Sequence, residues 1–176
     1  MDAVERYLGE MERALRALSR DAIRRAVGAL FDAWRWSKTA WIVADGGVLA
    51  SYLTDELHNA VRLPGQPPLR VRRLAGQHDA IQAGDVVLAL AATSDHDYVE
   101  RTVARAKEVG ALTIALLGSP SSTDDNAVDF SVTIPTDRSS QQADASAVII
   151  HAVALALRER IELHAVSNAN NAAIAS

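Results

Sequence analysis

The chain has 176 residues, a length typical of one α/β domain, and 49% of them are apolar, which is enough to form a sizeable core. Its net charge of −4, with both signs interspersed, provides no basic surface, so we expect no direct nucleic-acid binding. The absence of cysteine excludes a disulfide scaffold, a thiolate zinc site and a cysteine nucleophile.

Two amphipathic helices open the chain. One apolar seam runs from Val4 to Leu18, and a second runs from Ile23 to Trp34 after Ser19, a good capping residue. Residues 1–38 are therefore predicted to form a helical pair in front of an α/β core spanning 39–166. Two seams offer more apolar surface than one side of a sheet needs, so we expect these helices to contribute to a homo-oligomer interface of a dimer or tetramer.

Five short apolar runs alternate with helical patterns in the rest of the chain. The predicted strands are Ala40–Ala44, Leu69–Arg73, Val86–Leu90, Leu112–Leu117 and Phe130–Ile134. The predicted helices run from about Val48 to Val61, from Asp97 to Val109 and from Ser139 to roughly His164. This alternation predicts one doubly wound α/β domain, a five-stranded parallel sheet flanked by helices, followed by a flexible tail at 167–176.

Membrane segments and charged patches are not prominent. The longest apolar run, Ala145 to Leu157, contains His151 and is too short to span a bilayer, and the first residues lack the apolar stretch of a signal peptide. We therefore expect a cytoplasmic protein with no membrane partner. Arg70, Arg72 and Arg73 are predicted to form a solvated face that protects an edge strand, with a patch for an acidic partner as the alternative.

Several turns at the ends of the predicted strands resemble those of phosphoheptose isomerases, members of the sugar isomerase (SIS) domain family. Ala44-Asp45-Gly46-Gly47 stands where that family has a Gly-Asn-Gly-Gly-Ser turn. The stretch from Gly84-Asp85 to His96 lies over the family's Gly-Asp-Val-Leu strand and its Ser-Thr-Ser-Gly-Asn-Ser loop. Val132-Thr133-Ile134-Pro135, followed by a polar loop and a helix with an inward histidine, matches the C-terminal third. The resemblance covers nearly the whole chain and implies a SIS fold, oligomers with sites at subunit interfaces, and isomerisation of sedoheptulose 7-phosphate.

The resemblance implies a phosphate-binding region formed by the turns after the first and third strands. Its residues in this chain are Gly46, Gly47, Thr93, Ser94, Asp95 and His96. Ala91 and Ala92 stand at two of the family's hydroxyl positions, and Asp95 and Asp97 add carboxylates near the anion. At 4–5 Å and an effective dielectric near 20, a carboxylate opposes each phosphate charge by about 3–4 kcal/mol. The alternative is an ordinary turn in which Asp97 caps the following helix.

Two histidines are the candidates for proton transfer. His151 matches the family's catalytic and metal-binding histidine, and a gapless register places His58 where the family has its glutamate. The alternatives are that His58 lies near a helix end and that His151 is a hydrogen-bonded core histidine. Asp144 lies on the helical face of His151 and is a candidate to orient it.

The metal ligands that the family uses are mostly missing. The four ligand positions correspond to Thr54, His58, Ala143 and His151, and Gln142 replaces the lost glutamine only if the helix slips by one residue. We therefore expect no zinc and no other cofactor.

Two functions stay open at this point. The losses of hydroxyls, metal ligands and a pocket segment before Asp85 favour a non-catalytic SIS-like protein that oligomerises and binds a protein partner. The second function is a divergent sugar-phosphate isomerase or sensor that uses His58 and His151. A binder of an uncharged or cationic ligand, which Asp95 and Asp97 would suit, is a further alternative.

Overall fold

The computed structural model describes residues 2–44, 47–74, 76, 80–91, 97–118 and 127–174. Within these residues the helices are α1 (Ala3–Arg16), α2 (Arg20–Arg35), α3 (Gly47–Ala60), α4 (Asp97–Glu108) and α5 (Ser139–Ile174). The strands are β1 (Thr39–Ala44), β2 (Arg70–Arg73), β3 (Val86–Ala91), β4 (Leu112–Gly118) and β5 (Phe130–Ile134). Each predicted helix and strand is therefore present, with ends that differ by one or two residues except at α5.

The strands form one parallel sheet in the order β2-β1-β3-β4-β5. The chain crosses from β1 outward to β2 and then returns to the other side of β1, so the strand order reverses between β1 and β3. Ligands of such sheets bind beyond the carboxyl ends of the strands at this reversal. The predicted doubly wound, five-stranded α/β fold is confirmed.

Both faces of the sheet are covered. Helices α2, α3 and α5 pack on one face around a core that includes Leu30, Ile42 and Leu157, whereas α4 covers the other face, where Trp41 and Val43 lie. Neighbouring side chains of β1 thus enter opposite cores, because side chains alternate along a strand. This burial on two sides explains why the strands are continuous apolar runs.

The two N-terminal helices differ in how much they bury. The Ser19 hydroxyl caps α2 by accepting from the Ala22 amide, and the apolar side of α2 is buried in the core of the domain. Helix α1 starts with a capping box between Asp2 and Glu5, but Ala14 is its one buried residue. Val4 and Leu8 stay more than 60% exposed, so the single chain leaves an apolar face of α1 uncovered.

Helix α5 is longer than the sequence pattern predicted. It continues to Ile174, whereas we predicted an end near His164. No glycine or proline follows His164, and alanine, which recurs in this segment, is the strongest helix former. Residues 167–174 are therefore helical, and the predicted flexibility of the tail stays a prediction. No helix in the described part of the chain has the length and apolarity needed to cross a bilayer.

Candidate functional site

The carboxyl ends of β1 and β3 bound the region where the sequence predicted phosphate binding. Gly47 is the first residue of α3, directly after the turn that ends β1. The other predicted phosphate-binding residues lie outside the described residues: Gly46, Thr93, Ser94, Asp95 and His96. Asp97 is the first residue of α4, one position inside the helix from the N-cap that we predicted for it. The phosphate-binding assignment therefore stays a prediction.

Three polar side chains meet where α3 packs against α5. The hydroxyl of Tyr52 lies 2.5 Å from Nε2 of His151, and the two rings stack with centroids 5.8 Å apart. Oε1 of Glu56 lies 3.6 Å from the same nitrogen. The side chains of His151 and Glu56 are 46% and 33% exposed, so solvent or a small molecule reaches them. We call these three residues the α3–α5 cluster.

The spacing of apolar residues on each helix explains this meeting. Tyr52 and Glu56 are four residues apart and lie on one face of α3, while Leu53 and Leu57 beside them are fully buried. On α5, Ile149 and Ile150 enter the core and leave the next residue, His151, at the edge of the contact with α3. The cluster is thus held in place by the apolar packing of both helices beneath it.

The structure places His58 away from this cluster. His58 follows Glu56 by two residues, which is a rotation of about 200° around the helix axis. Within the described residues, no hydrogen bond or ion pair joins His58 to His151. The pairing of His58 with His151 stays a prediction, and Glu56 is the titratable residue of α3 that lies beside His151. Sequence reasoning missed Glu56 and Tyr52, although their spacing of four residues placed both on one helical face.

Asp144 contacts a different partner from the one we proposed. Its Oδ2 accepts a hydrogen bond of 2.5 Å from the hydroxyl of Tyr7, on α1. This hydrogen bond, together with burial and the charge of the carboxylate, raises the pKa of Tyr7 above its ordinary value of 10.0. Asp144 therefore joins α1 to α5, and Tyr52 takes the place at His151 that we had assigned to Asp144.

The residues at the four zinc positions do not fit a zinc ion. The Thr54 hydroxyl donates to the carbonyl of Ala50 in its own helix, and Ala143 has no ligand atom. His58 and the cluster around His151 lie on different faces of α3. Three or more His, Cys, Asp or Glu side chains arranged to hold a metal do not occur among the described residues. Gln142 donates its amide to the carbonyl of Thr136 instead of pointing to His151.

Arg73 has a position that the sequence did not predict. Its guanidinium donates to the hydroxyl of Ser51, in the second turn of α3, over 2.7 Å. Arg73 follows Val71 by two residues on β2, so both point to the face of the sheet that α3 covers. The alternation along β2 was the signal that separates Arg73 from Arg70 and Arg72.

The cluster has the groups that acid–base chemistry requires. The imidazole of His151 changes charge near neutral pH, Glu56 provides a carboxylate within ion-pair distance, and Tyr52 provides a hydroxyl. Proton transfer needs such an acid and base on the same small region of the surface. The chain therefore combines a doubly wound sheet with the groups of a proton-transfer centre beside it.

Comparisons with known proteins place the chain in a fold class. Neither a family model nor a curated protein matches it. Among solved structures, the chain has the fold of sugar isomerase (SIS) domains, which confirms the fold that the sequence resemblance implied. It is similar to a phosphoheptose isomerase from Francisella tularensis, with a TM-score of 0.77 and 18% identity over 89% of this chain and 94% of that one.

Two further solved structures with this fold contain ligands. The protein c3406 of E. coli CFT073, in complex with arabinose 5-phosphate, has a TM-score of 0.69 and 19% identity over 92% of this chain and 94% of that one. The NanR protein of Vibrio vulnificus, complexed with ManNAc-6P, has a TM-score of 0.72 and 11% identity over 97% of this chain and 66% of that one.

Proposed function

We propose that this protein binds a phosphorylated sugar beside the carboxyl ends of β1 and β3 and interconverts its aldose and ketose forms. The observation that carries this proposal is the position of Glu56 Oε1, 3.6 Å from His151 Nε2, on two helices that border this edge. The solved structures with arabinose 5-phosphate and ManNAc-6P support the ligand class, because both contain this fold.

Isomerisation requires one proton to move between neighbouring carbons. A base removes the proton from C2 of the aldose while an acid protonates the oxygen on C1, which produces an enediol. Protonation of C1 and loss of the proton from the C2 hydroxyl then give the ketose. We assign the carbon proton to the carboxylate of Glu56 and the oxygen proton to His151, with Tyr52 holding the imidazole by its hydrogen bond.

The proposed active form is a homo-oligomer. The α3–α5 cluster lies on an open surface, and an exposed apolar stripe on α5 passes beside it; the stripe consists of Val148, Leu155, Leu163 and Val166. These four residues lie within about 80° of one another around the helix. A second copy packed on this stripe would bury it and wall the cluster, and the uncovered face of α1 adds apolar surface for the same purpose.

A ligand panel tests the proposal in two stages. Thermal unfolding is measured with sedoheptulose 7-phosphate, arabinose 5-phosphate, ManNAc-6P and inorganic phosphate as probes. A ligand at about a hundred times its Kd stabilises the native state by about 2.7 kcal/mol. Each sugar that binds is then incubated with the protein in D2O, and deuterium at C1 or C2 is followed by NMR. We expect binding and exchange for at least one sugar; no shift with any sugar would overturn the proposal.

A non-catalytic, oligomeric binding protein is the second candidate function. The apolar stripe on α5 favours it, because such a stripe also suits a protein partner. The alanines at two hydroxyl positions of the predicted phosphate loop, Ala91 and Ala92, favour it as well. Sugar binding without deuterium exchange would support this candidate and reject the isomerase.

A further inference from the structure

A second cavity lies at the carboxyl end of β5, away from the α3–α5 cluster. It is a groove of about 610 Å³ between the C-terminal half of α1 and the segment that joins β5 to α5. Gln141, in the first turn of α5, forms part of its lining. His151 lies ten residues further along the same helix, which corresponds to about 15 Å. The groove is therefore a separate place from the site proposed above.

Hydrogen bonds between buried and half-buried side chains build the base of this groove. Gln141 is 2% exposed; its Oε1 accepts from the Thr136 hydroxyl at 2.6 Å, and its Nε2 donates to Glu10 at 2.8 Å. The same carboxylate of Glu10 forms an ion pair of 2.8 Å with Arg138. Because α1 is fixed to α5 by these contacts, the groove exists before a ligand arrives.

Two charged groups of the lining are left for a ligand. Glu10 is neutralised by Arg138 and Gln141. Arg13, on α1, and Asp137, on the opposite wall, have neither a hydrogen bond nor an ion pair within the described part of the chain. The lining therefore offers one guanidinium and one carboxylate of opposite charge.

Small apolar residues form the remainder of the wall between these charges. Ala14 and Ala17 face the groove from α1, and Pro135 faces it from the end of β5. A simple anion would be repelled by Asp137 and a simple cation by Arg13, whereas a molecule with both charges matches both groups. The volume lies within the usual range of small-molecule pockets, about 300–1,000 Å³.

We propose that this groove binds a free α-amino acid. Arg13 binds the carboxylate of the ligand through its paired N–H donors, and Asp137 binds the ammonium group. The side chain of the amino acid lies on the apolar wall of Ala14, Ala17 and Pro135. This site is independent of the proposed sugar chemistry and does not use His151.

Calorimetric titration of the full chain with each of the twenty amino acids tests this proposal, with L-leucine as the first probe. For any amino acid that binds, the analogues without the ammonium group and without the carboxylate (4-methylpentanoate and 3-methylbutylamine for leucine) should bind at least about tenfold more weakly. R13Q and D137N should each weaken binding by a similar factor. R101Q, which removes an exposed arginine on α4, serves as the matched control and should leave binding unchanged.

Three outcomes would overturn the proposal. They are no binding by any amino acid, equal binding by the carboxylate analogue, and unchanged binding by both R13Q and D137N. Binding should persist in H151N, so that a failure of the sugar-phosphate proposal leaves this result readable on its own. Circular dichroism of each variant checks its folding, and both substituted side chains are at the surface.

Discussion

The indole Nε1 of Trp41 donates a hydrogen bond of 2.9 Å to Oδ2 of Asp85, which lies 44 residues later and directly before β3. Asp85 is 4% exposed, and its carboxylate also accepts from the backbone amides of Thr39 and Gln82 at 2.9 and 3.0 Å. One buried carboxylate therefore joins the start of β1 to the start of β3.

Removal of this carboxylate should destabilise the fold. D85A leaves three buried or part-buried donors unpaired, each at a cost of about 1–3 kcal/mol, so we expect a loss of at least about 3 kcal/mol in the free energy of unfolding. W41F, which removes one donor and keeps the carboxylate, should cost about 1 kcal/mol. Urea unfolding measures both, and a loss below about 1 kcal/mol for D85A would show that Asp85 is not a central link.

Substitutions on α3 should separate the two possible proton-transfer pairs. E56Q keeps the size of the side chain but removes the base, and H151N removes the imidazole, so each should lower kcat by about 10²–10⁴ on a sugar phosphate that the protein isomerises. H58N is the matched control on the other face of α3 and should leave kcat unchanged. A large loss in H58N with normal activity in E56Q would restore the pair that the sequence predicted.

The raised pKa of Tyr7 has a consequence at alkaline pH. A group whose pKa is higher in the folded state stabilises the fold fully below its unfolded value, here 10.0, and this contribution is lost as pH rises through the folded pKa. The difference in unfolding free energy between the wild type and Y7F should therefore be constant below pH 10 and shrink above it.

Absorbance at 295 nm measures the same ionisation directly. The chain has three tyrosines, so the titration curve of Y7F subtracted from that of the wild type isolates Tyr7. D144N removes the accepting carboxylate and should return the midpoint towards the ordinary value. An unchanged midpoint in D144N would mean that this hydrogen bond does not form in solution.

A charge on the apolar stripe of α5 should weaken self-association. Leu155 is 62% exposed in the single chain and lies one turn beyond His151. L155E would place a carboxylate in the proposed interface, so we expect light scattering to show a dimer or larger species for the wild type and mostly monomer for L155E. R101E, on the exposed side of α4, is the control and should keep the wild-type mass. A monomeric wild type would reject the proposed oligomer.

The succession of strands and helices was readable from the sequence. Period-two and period-3.6 apolar patterns are local consequences of burial, so β1, β3 and β4 were recognisable as buried strands and α2 as a helix with one apolar side. The SIS fold followed from the order of these segments and from the turns between them. The end of α5 was not readable, since an alanine-rich segment without glycine or proline gives no clear stop signal.

The identity of the residue beside His151 was decided by tertiary structure alone. His58 and Glu56 are both titratable and only two positions apart on α3, so the register of the sequence could not choose between them. The choice depends on which face of α3 meets α5, and the burial of Leu53 and Leu57 determines that rotation. Sequence patterns encode which side of a helix is apolar, but only the packing of two helices separated by most of the chain determines which polar side chains meet at its edge.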